Sequence, residues 1–201
     1  AVNRQRLAQG LSPANAIWLW GQGKRPRLQH YYERFGVKAS MISAVDLLKG
    51  IGRLANMQVC QVEGATGYID TNYTGKMTAA IQQLQSGQDF VYIHIEAPDE
   101  CGHRGEVANK VKAIEDIDRL VLGPLLEQLP ALGDFTLLIL PDHPTPLAIR
   151  THSADPVPYL LYRSNLSVDS GLTTFTEVSA AATGHHHPIG HQLMRYVLNQ
   201  V

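Results

Sequence analysis

The stretch Phe90-Val91-Tyr92-Ile93-His94-Ile95-Glu96-Ala97-Pro98-Asp99-Glu100-Cys101-Gly102-His103 decides how the rest of the chain is read. Its first part is rich in β-branched and aromatic residues and predicts a strand within residues 89–95. A polar segment with Pro and Gly follows at once. Asp99 and His103 stand four apart, so one turn of backbone aims a carboxylate and an imidazole at one point. Zn²⁺ and Mn²⁺ accept that oxygen and nitrogen mixture. The structural alternative is an Asp capping a helix that starts near Gly105, with His103 merely exposed.

The same arrangement recurs downstream. Residues 135–140 form a continuous apolar run, suited to a strand buried on both faces. Pro141-Asp142-His143-Pro144-Thr145-Pro146 follows it directly. An Asp–His pair at the end of such a strand is costly unless something partners it. The flanking prolines stiffen the loop and remove donors, which fits a fixed ligand geometry; a Pro-rich surface turn is the alternative. A third segment, Thr151-His152-Ser153-Ala154-Asp155-Pro156-Val157-Pro158, adds one more imidazole. Three strand-end loops thus supply Asp99, His103, Asp142, His143 and His152, nearly two metal sites. Paired ions about 3.5–4 Å apart are a recurrent device for phosphoryl transfer.

Working outward, residues 38–43, 57–62 and 156–162 read as further strands. Residues 45–56, 74–85, 106–129 and 190–201 have helical spacing. In the long segment, Val107, Val111, Ile114, Ile117, Val121 and Leu125 form one stripe. This alternation predicts an α/β fold with a mostly parallel sheet flanked by helices. In such sheets ligands sit beyond the carboxyl ends of strands, where the polar clusters fall.

The bulk properties narrow the classes. With 201 residues the chain builds one sizeable core, or one domain plus an appendage. Hydrophobic residues at 44% and charged residues at 17% argue against disorder. A net charge of −1 marks no nucleic-acid binder, and no apolar run approaches the ~20 residues of a membrane span. Cys60 and Cys101 make no disulfide framework, and no signal peptide is visible at Ala1, so a cytoplasmic protein is expected. The chain does not begin with Met, which points to a cut polypeptide. Gly23-Lys24 lacks the spacing of a phosphate-binding P-loop. His185-His186-His187 reads as an exposed loop before a helix.

The ordered elements Asp99/His103, Asp142-His143 and Thr151-His152 leading into Asp155-Pro156-Val157-Pro158 resemble the cofactor-independent phosphoglycerate mutases of the alkaline phosphatase superfamily. The archaeal branch is favoured by Ile17-Trp18-Leu19-Trp20-Gly21, by Ile42-Ser43-Ala44-Val45-Asp46-Leu47-Leu48-Lys49-Gly50 and by Gly64-Ala65-Thr66-Gly67-Tyr68. His94-Ile95-Glu96-Ala97-Pro98-Asp99 and Asp142-His143-Pro144-Thr145-Pro146 favour it too. The resemblance runs from about Asn3 to Tyr162 and more weakly to the end.

The resemblance implies an alkaline-phosphatase-like metalloenzyme domain, partial here, with two divalent ions (Mn²⁺, Zn²⁺ or Co²⁺) in the full enzyme. One ion is expected on Asp99, His103 and His152, the other partly on Asp142 and His143. Lys49, at the end of a strand, matches a lysine beside the substrate phosphate. Lys24, Arg25 and Arg27 fall where a substrate-binding lid ends and basic residues meet the phosphoglycerate anion; a solvated basic turn remains the alternative. Residues 1–28 are expected to be the end of that lid and a linker, and residues 29–201 the C-terminal part of the metalloenzyme domain.

Family members carry an Asp ligand and a Ser nucleophile in an N-terminal half, and nothing before Lys24 matches either. The chain is therefore expected to need that half as partner and to be inactive alone in converting 3- to 2-phosphoglycerate through a phosphoserine. A related phosphatase or phosphodiesterase, or a non-catalytic metal-binding fragment, are the competing readings.

Overall fold

The central strand β1 (Ala39–Ile42) is buried at all four residues. It lies between β2 (Gln58–Cys60) and β3 (Phe90–Ile93) in a parallel sheet of order β2-β1-β3, with Met41 facing both Val59 and Tyr92 across the ladders. The structure is a computed structural model and describes residues 1–19, 21–166 and 168–198. Trp20, within the motif at 17–21, lies outside the described residues, as do residues 199–201 at the end of the expected last helix.

Parallel neighbours require crossovers. Here α3 (Asp46–Leu54) joins β1 to β2, and α4 (Tyr73–Gln85) joins β2 to β3. α3 lies close on the sheet because Gly52 has no side chain: a Cβ there would come 3.1 Å from Val59 Cγ2 and 3.2 Å from Met41 Cβ. α4 starts where the Asn72 side chain accepts the Gly75 N–H at 2.8 Å. Its Tyr73, Met77, Ala80 and Ile81 enter the core beside Ile42 and Cys60. Ser40 is buried in the central strand without penalty, since its hydroxyl donates to Gln83 Oε1 at 2.9 Å.

The expected helix over 106–129 is one helical run in four pieces. α6 (Val107–Ile117) passes through a π turn (Asp118–Leu122) into α7 (Gly123–Gln128), and a 3₁₀ turn (Leu129–Leu132) ends it. Pro124 gives the cause: it has no N–H and crowds the preceding turn, which widens to accommodate it. The stripe is only half right. Val121 and Leu125 are buried, but Val107, Val111 and Ile114 face solvent, and the inner face of α6 is Ala113 and Asp116. The extra residue of a π turn rotates the buried face, so one continuous period cannot describe both pieces. Asp116 is offset by Lys112 at 2.5 Å and Arg119 at 2.7 Å.

After the first three strands, which are all parallel, the pairing changes direction. β4 (Thr136–Ile139) pairs with β5 (Leu160–Arg163) antiparallel, Leu137 opposite Tyr162. β4 is only half-buried, against the expectation of burial on both faces, and among the described residues it has a strand on one edge alone. β5 begins after Pro156 and Pro158, which cannot donate to a ladder. The C-terminal region adds α8 (Glu177–Ala182) and α9 (Leu193–Val197). At the other end, α1 (Val2–Ala8) buries no side chain, and Ile17, Trp18 and Leu19 are exposed. A short α2 (Tyr31–Phe35) leads into β1, its Tyr31 ring stacked on Phe90 at 5.5 Å.

Candidate metal centre

Asp99 and His103 sit on a short helix, α5 (Ala97–Arg104), and not on the irregular strand-end loop expected. Pro98 occupies its first turn, and Gly105 ends it in the left-handed conformation at φ 71°. The helix places the carboxylate and the imidazole on one face, 3.4 Å apart (Asp99 Oδ2 to His103 Nε2). Gly105 is needed on a second count: a Cβ there would lie 2.7 Å from Arg150 Nε.

The loop after β4 brings the remaining residues to that face. His152 Nε2 lies 3.2 Å from Asp99 Oδ1 and 3.1 Å from His103 Nε2. The His143 ring stacks against His152 with centroids 3.7 Å apart, and Asp99, His143 and His152 present ligand atoms within 4.8 Å of one another. His143 thus joins the group around Asp99, where Asp142 was its expected companion. Asp142 Oδ2 is 3.6 Å from His143 Nε2, and its carboxylate is largely exposed. All five expected Asp and His residues therefore gather at one place.

The hydrogen bonds prepare these imidazoles as lone-pair donors. His103 Nδ1 meets the Arg150 carbonyl at 3.0 Å. A carbonyl only accepts, so Nδ1 carries the proton and Nε2 turns a lone pair toward His152 and Asp99. Arg150 reaches that position with φ 53°, an uncommon conformation for a residue with a side chain. The Thr145 hydroxyl donates to Asp99 Oδ1 in a short hydrogen bond and lies 3.3 Å from His143 Nδ1. With the Thr145 hydroxyl proton directed at Asp99, Thr145 Oγ accepts from His143 Nδ1, and Nε2 of that ring faces the Asp142 carboxylate. Two imidazole nitrogens 3.1 Å apart, each 3.2–3.4 Å from a different oxygen of the Asp99 carboxylate, with the outer ring nitrogen of His103 engaged, form a donor set that fits a divalent cation.

Sequence reasoning missed several residues around this centre. His94 is half-buried at the end of β3, its Nδ1 3.4 Å from Ser43 Oγ. Burial pushes its pKa down, and Asp142 partly opposes that. Lys76 is fully buried and donates to the His94 carbonyl at 3.0 Å; burial pushes its pKa down to about 8. Glu96 is pushed up by burial and by the neighbouring Glu100 and Asp99. Thr145 was visible only as the one hydroxyl between the prolines of a ligand loop. Lys76 looked like any polar residue on a helix.

Lys49 is within α3, not at a strand end, and its Nζ pairs with Asp46 Oδ1 at 3.2 Å. The apolar strand stops at Ile42, and Asp46 starts the helix, which carries Lys49 one turn further. Lys24, Arg25 and Arg27 are exposed on an irregular segment. Among the described residues no helix is long and apolar enough to cross a membrane.

Fold and site together define a class, an α/β domain that gathers carboxylate and imidazole ligands beyond its strand ends. The chain belongs to the Metalloenzyme superfamily, whose family model matches residues 4–199. It is 48% identical over 197 residues to a Geobacter sulfurreducens protein named probable 2,3-bisphosphoglycerate-independent phosphoglycerate mutase, a match covering 98% of this chain and 49% of that protein. It is 50% identical over 198 residues to the 2,3-bisphosphoglycerate-independent phosphoglycerate mutase of Methanothrix thermoacetophila, covering 98% and 50%. Among solved structures it is similar to the cofactor-independent phosphoglycerate mutase of Thermoplasma acidophilum, with TM-score 0.64, 28% identity, and 98% of this chain against 46% of that one. A Pyrococcus horikoshii protein superposes with TM-score 0.77 at 29% identity, covering 100% and 52%. The chain spans about half the length of the curated relatives it matches.

Proposed function

We propose that this chain is the metal-holding, C-terminal half of a cofactor-independent phosphoglycerate mutase, the activity for which its relatives are named. The observation that carries the reading is the convergence of Asp99, His103, His143 and His152 on one point, from two separate stretches of chain. Residues 29–201 would be the metalloenzyme part, and residues 1–28 the end of a substrate lid and its linker. Asp99, His103 and His152 hold one divalent ion; Asp142 and His143 offer part of a second site. Mn²⁺, Zn²⁺ and Co²⁺ all suit such ligands. When bound, such ions stabilise charge on phosphoryl oxygens as Lewis acids.

The chain's own residues do the positioning. Arg150 and Thr145 orient the imidazoles, and Asp142 stands exposed at the edge of the group. Lys49, Lys24, Arg25 and Arg27 supply positive charge for a phosphoglycerate anion. The nucleophilic Ser and the remaining ligands belong to the other half of a cytoplasmic enzyme.

Two measurements test this. Dialysed chain should retain bound metal, and His103→Ala should lose the tightly held fraction; equal metal content in the two would remove the metal site. Alone, the chain should not interconvert 3- and 2-phosphoglycerate. Fusing or adding the N-terminal half of a relative should bring turnover with Mn²⁺ or Co²⁺. Turnover by the isolated chain that vanishes in Asp142→Ala would place the nucleophile in this half. Release of inorganic phosphate in place of isomerisation would make the protein a phosphatase.

A further inference from the structure

The candidate ligands come from two stretches with no covalent tie near the site: α5 supplies Asp99 and His103, and residues 142–152 supply the rest. Something must hold these stretches at ligating distance. Lys110, on α6, is placed to do so. Its Nζ donates to the Pro98 carbonyl at 2.9 Å and to the Thr145 carbonyl at 3.1 Å. Pro98 immediately precedes Asp99, and Thr145 is the residue whose hydroxyl donates to Asp99. Two of the three ammonium donors are thus spent on one carbonyl from each stretch.

The backbone around this contact is built for close approach. A Cβ on Gly102 would lie 2.7 Å from the Thr145 carbonyl oxygen and 2.9 Å from Lys110 Nζ, so only a hydrogen fits there. Thr145 is buried and fully engaged, by its carbonyl to Lys110 and by its hydroxyl to Asp99. We propose that Lys110 is a positioning residue of the metal centre, a clamp whose ammonium joins the two ligand-bearing stretches and fixes the distance from Asp99 and His103 to His143 and His152. This inference rests on the metal-site reading above.

Charge alone makes the opposite prediction. An ammonium near a cation site repels the cation, so removing it should tighten metal binding. A clamp that pre-orients ligands should instead make binding weaker when lost, by roughly 10–100-fold, as for other groups that orient metal ligands from outside the coordination sphere. The sign of the change separates the two roles.

The test is a Co²⁺ titration of the metal-free 201-residue chain, followed by the visible absorbance of the bound ion, for the parent, Lys110→Met and His103→Ala. Circular dichroism checks that each variant is folded. The expected result is Co²⁺ affinity reduced roughly tenfold or more in Lys110→Met, with an altered absorption band that reports changed ligand geometry. Equal or tighter binding with an unchanged band in folded Lys110→Met overturns the clamp. If Lys110→Met does not fold, Lys110→Gln serves: it removes the ammonium and shortens the reach while keeping a polar end, and unchanged or tighter affinity with an unchanged spectrum there overturns the proposal equally. His103→Ala separates the two levels. If it binds Co²⁺ like the parent, the metal site itself is wrong; if it loses Co²⁺ while Lys110→Met does not, only the clamp is.

Discussion

From β1 to the 3₁₀ turn at Leu129–Leu132, strands alternate with crossover helices, and the core runs through Ile42, Tyr73, Met77, Ile81, Val121 and Leu125. Beyond Gly133 the same chain builds differently. Among the described residues its two strands pair with each other and with no other strand, and its buried side chains include Thr145, Leu193 and Val197. The candidate metal centre draws Asp99 and His103 from the first region and Asp142, His143 and His152 from the second. The contrast teaches that two of the five candidate ligands rest on a packed core, while the other three depend on point contacts, among them Thr145 with Asp99, Lys110 with Thr145, and His103 with Arg150.

The sharpest way to break this comparison is to truncate one side chain in each region. Ile42 is fully buried at the centre of the parallel sheet, and Ile42→Ala should cost about 2–5 kcal/mol through lost burial and the cavity left behind. Leu160, in the antiparallel pair, is 39% exposed, and Leu160→Ala should cost less than about 1 kcal/mol. Urea unfolding of both variants measures the difference; similar costs would mean that the second region has a core of comparable strength.

A buried charge sharpens the contrast further. Lys76 has no exposed surface, and burial pushes its pKa from 10.5 to about 8. Below pH 8 the ammonium is charged in both folded and unfolded chains, and its full burial cost is present. Between pH 8 and about 10.5 the folded chain releases the proton first, so the unfolded chain binds more protons and stability rises with pH. The full span corresponds to about 3 kcal/mol. The buried Cys60 and Cys101 thiols act in the opposite sense above pH 9, since burial pushes both upward. The difference between the parent and Lys76→Met therefore isolates the lysine. Its stability advantage for Lys76→Met should shrink as pH rises from 7 to 9.5, and a flat difference would show that Lys76 is solvated.

The sequence made the two regions unequally legible, for physical reasons. Strand-end polar clusters were visible because Asp and His directly after apolar runs are costly without a partner, and they do converge. α5 was not visible as a helix: Ala-Pro-Asp-Glu-Cys-Gly-His-Arg is short and has no apolar stripe, so its 3.6-residue period has nothing to register. The direction of β4 was hidden because an apolar run reads alike in parallel and antiparallel pairing. Lys110 and Arg150 act through backbone carbonyls, which carry no side-chain signature at all.

The smallest effect compares two helix caps. Asn72 begins α4, which packs into the core, and its side chain also donates to the Glu63 carbonyl at 3.0 Å. Asn72→Ala should lower global stability by about 1 kcal/mol or somewhat more, because α4 forms only with the core it packs against. Thr176 begins α8 with a reciprocal cap: its hydroxyl accepts the Ser179 N–H at 3.1 Å, and Ser179 Oγ accepts the Thr176 N–H at 3.0 Å. That pair satisfies two backbone donors, where the Asn72 side chain satisfies one. Yet α8 has six residues and buries none of them, so its formation is not coupled to the cooperative unfolding of the sheet. Thr176→Ala should therefore leave the urea midpoint unchanged within error. Amide exchange across Glu177–Ala182 should accelerate instead, by about five- to tenfold for a cap worth about 1 kcal/mol. A loss in the global midpoint equal to that of Asn72→Ala would show that the C-terminal region unfolds together with the parallel sheet, and that the two regions are one cooperative unit.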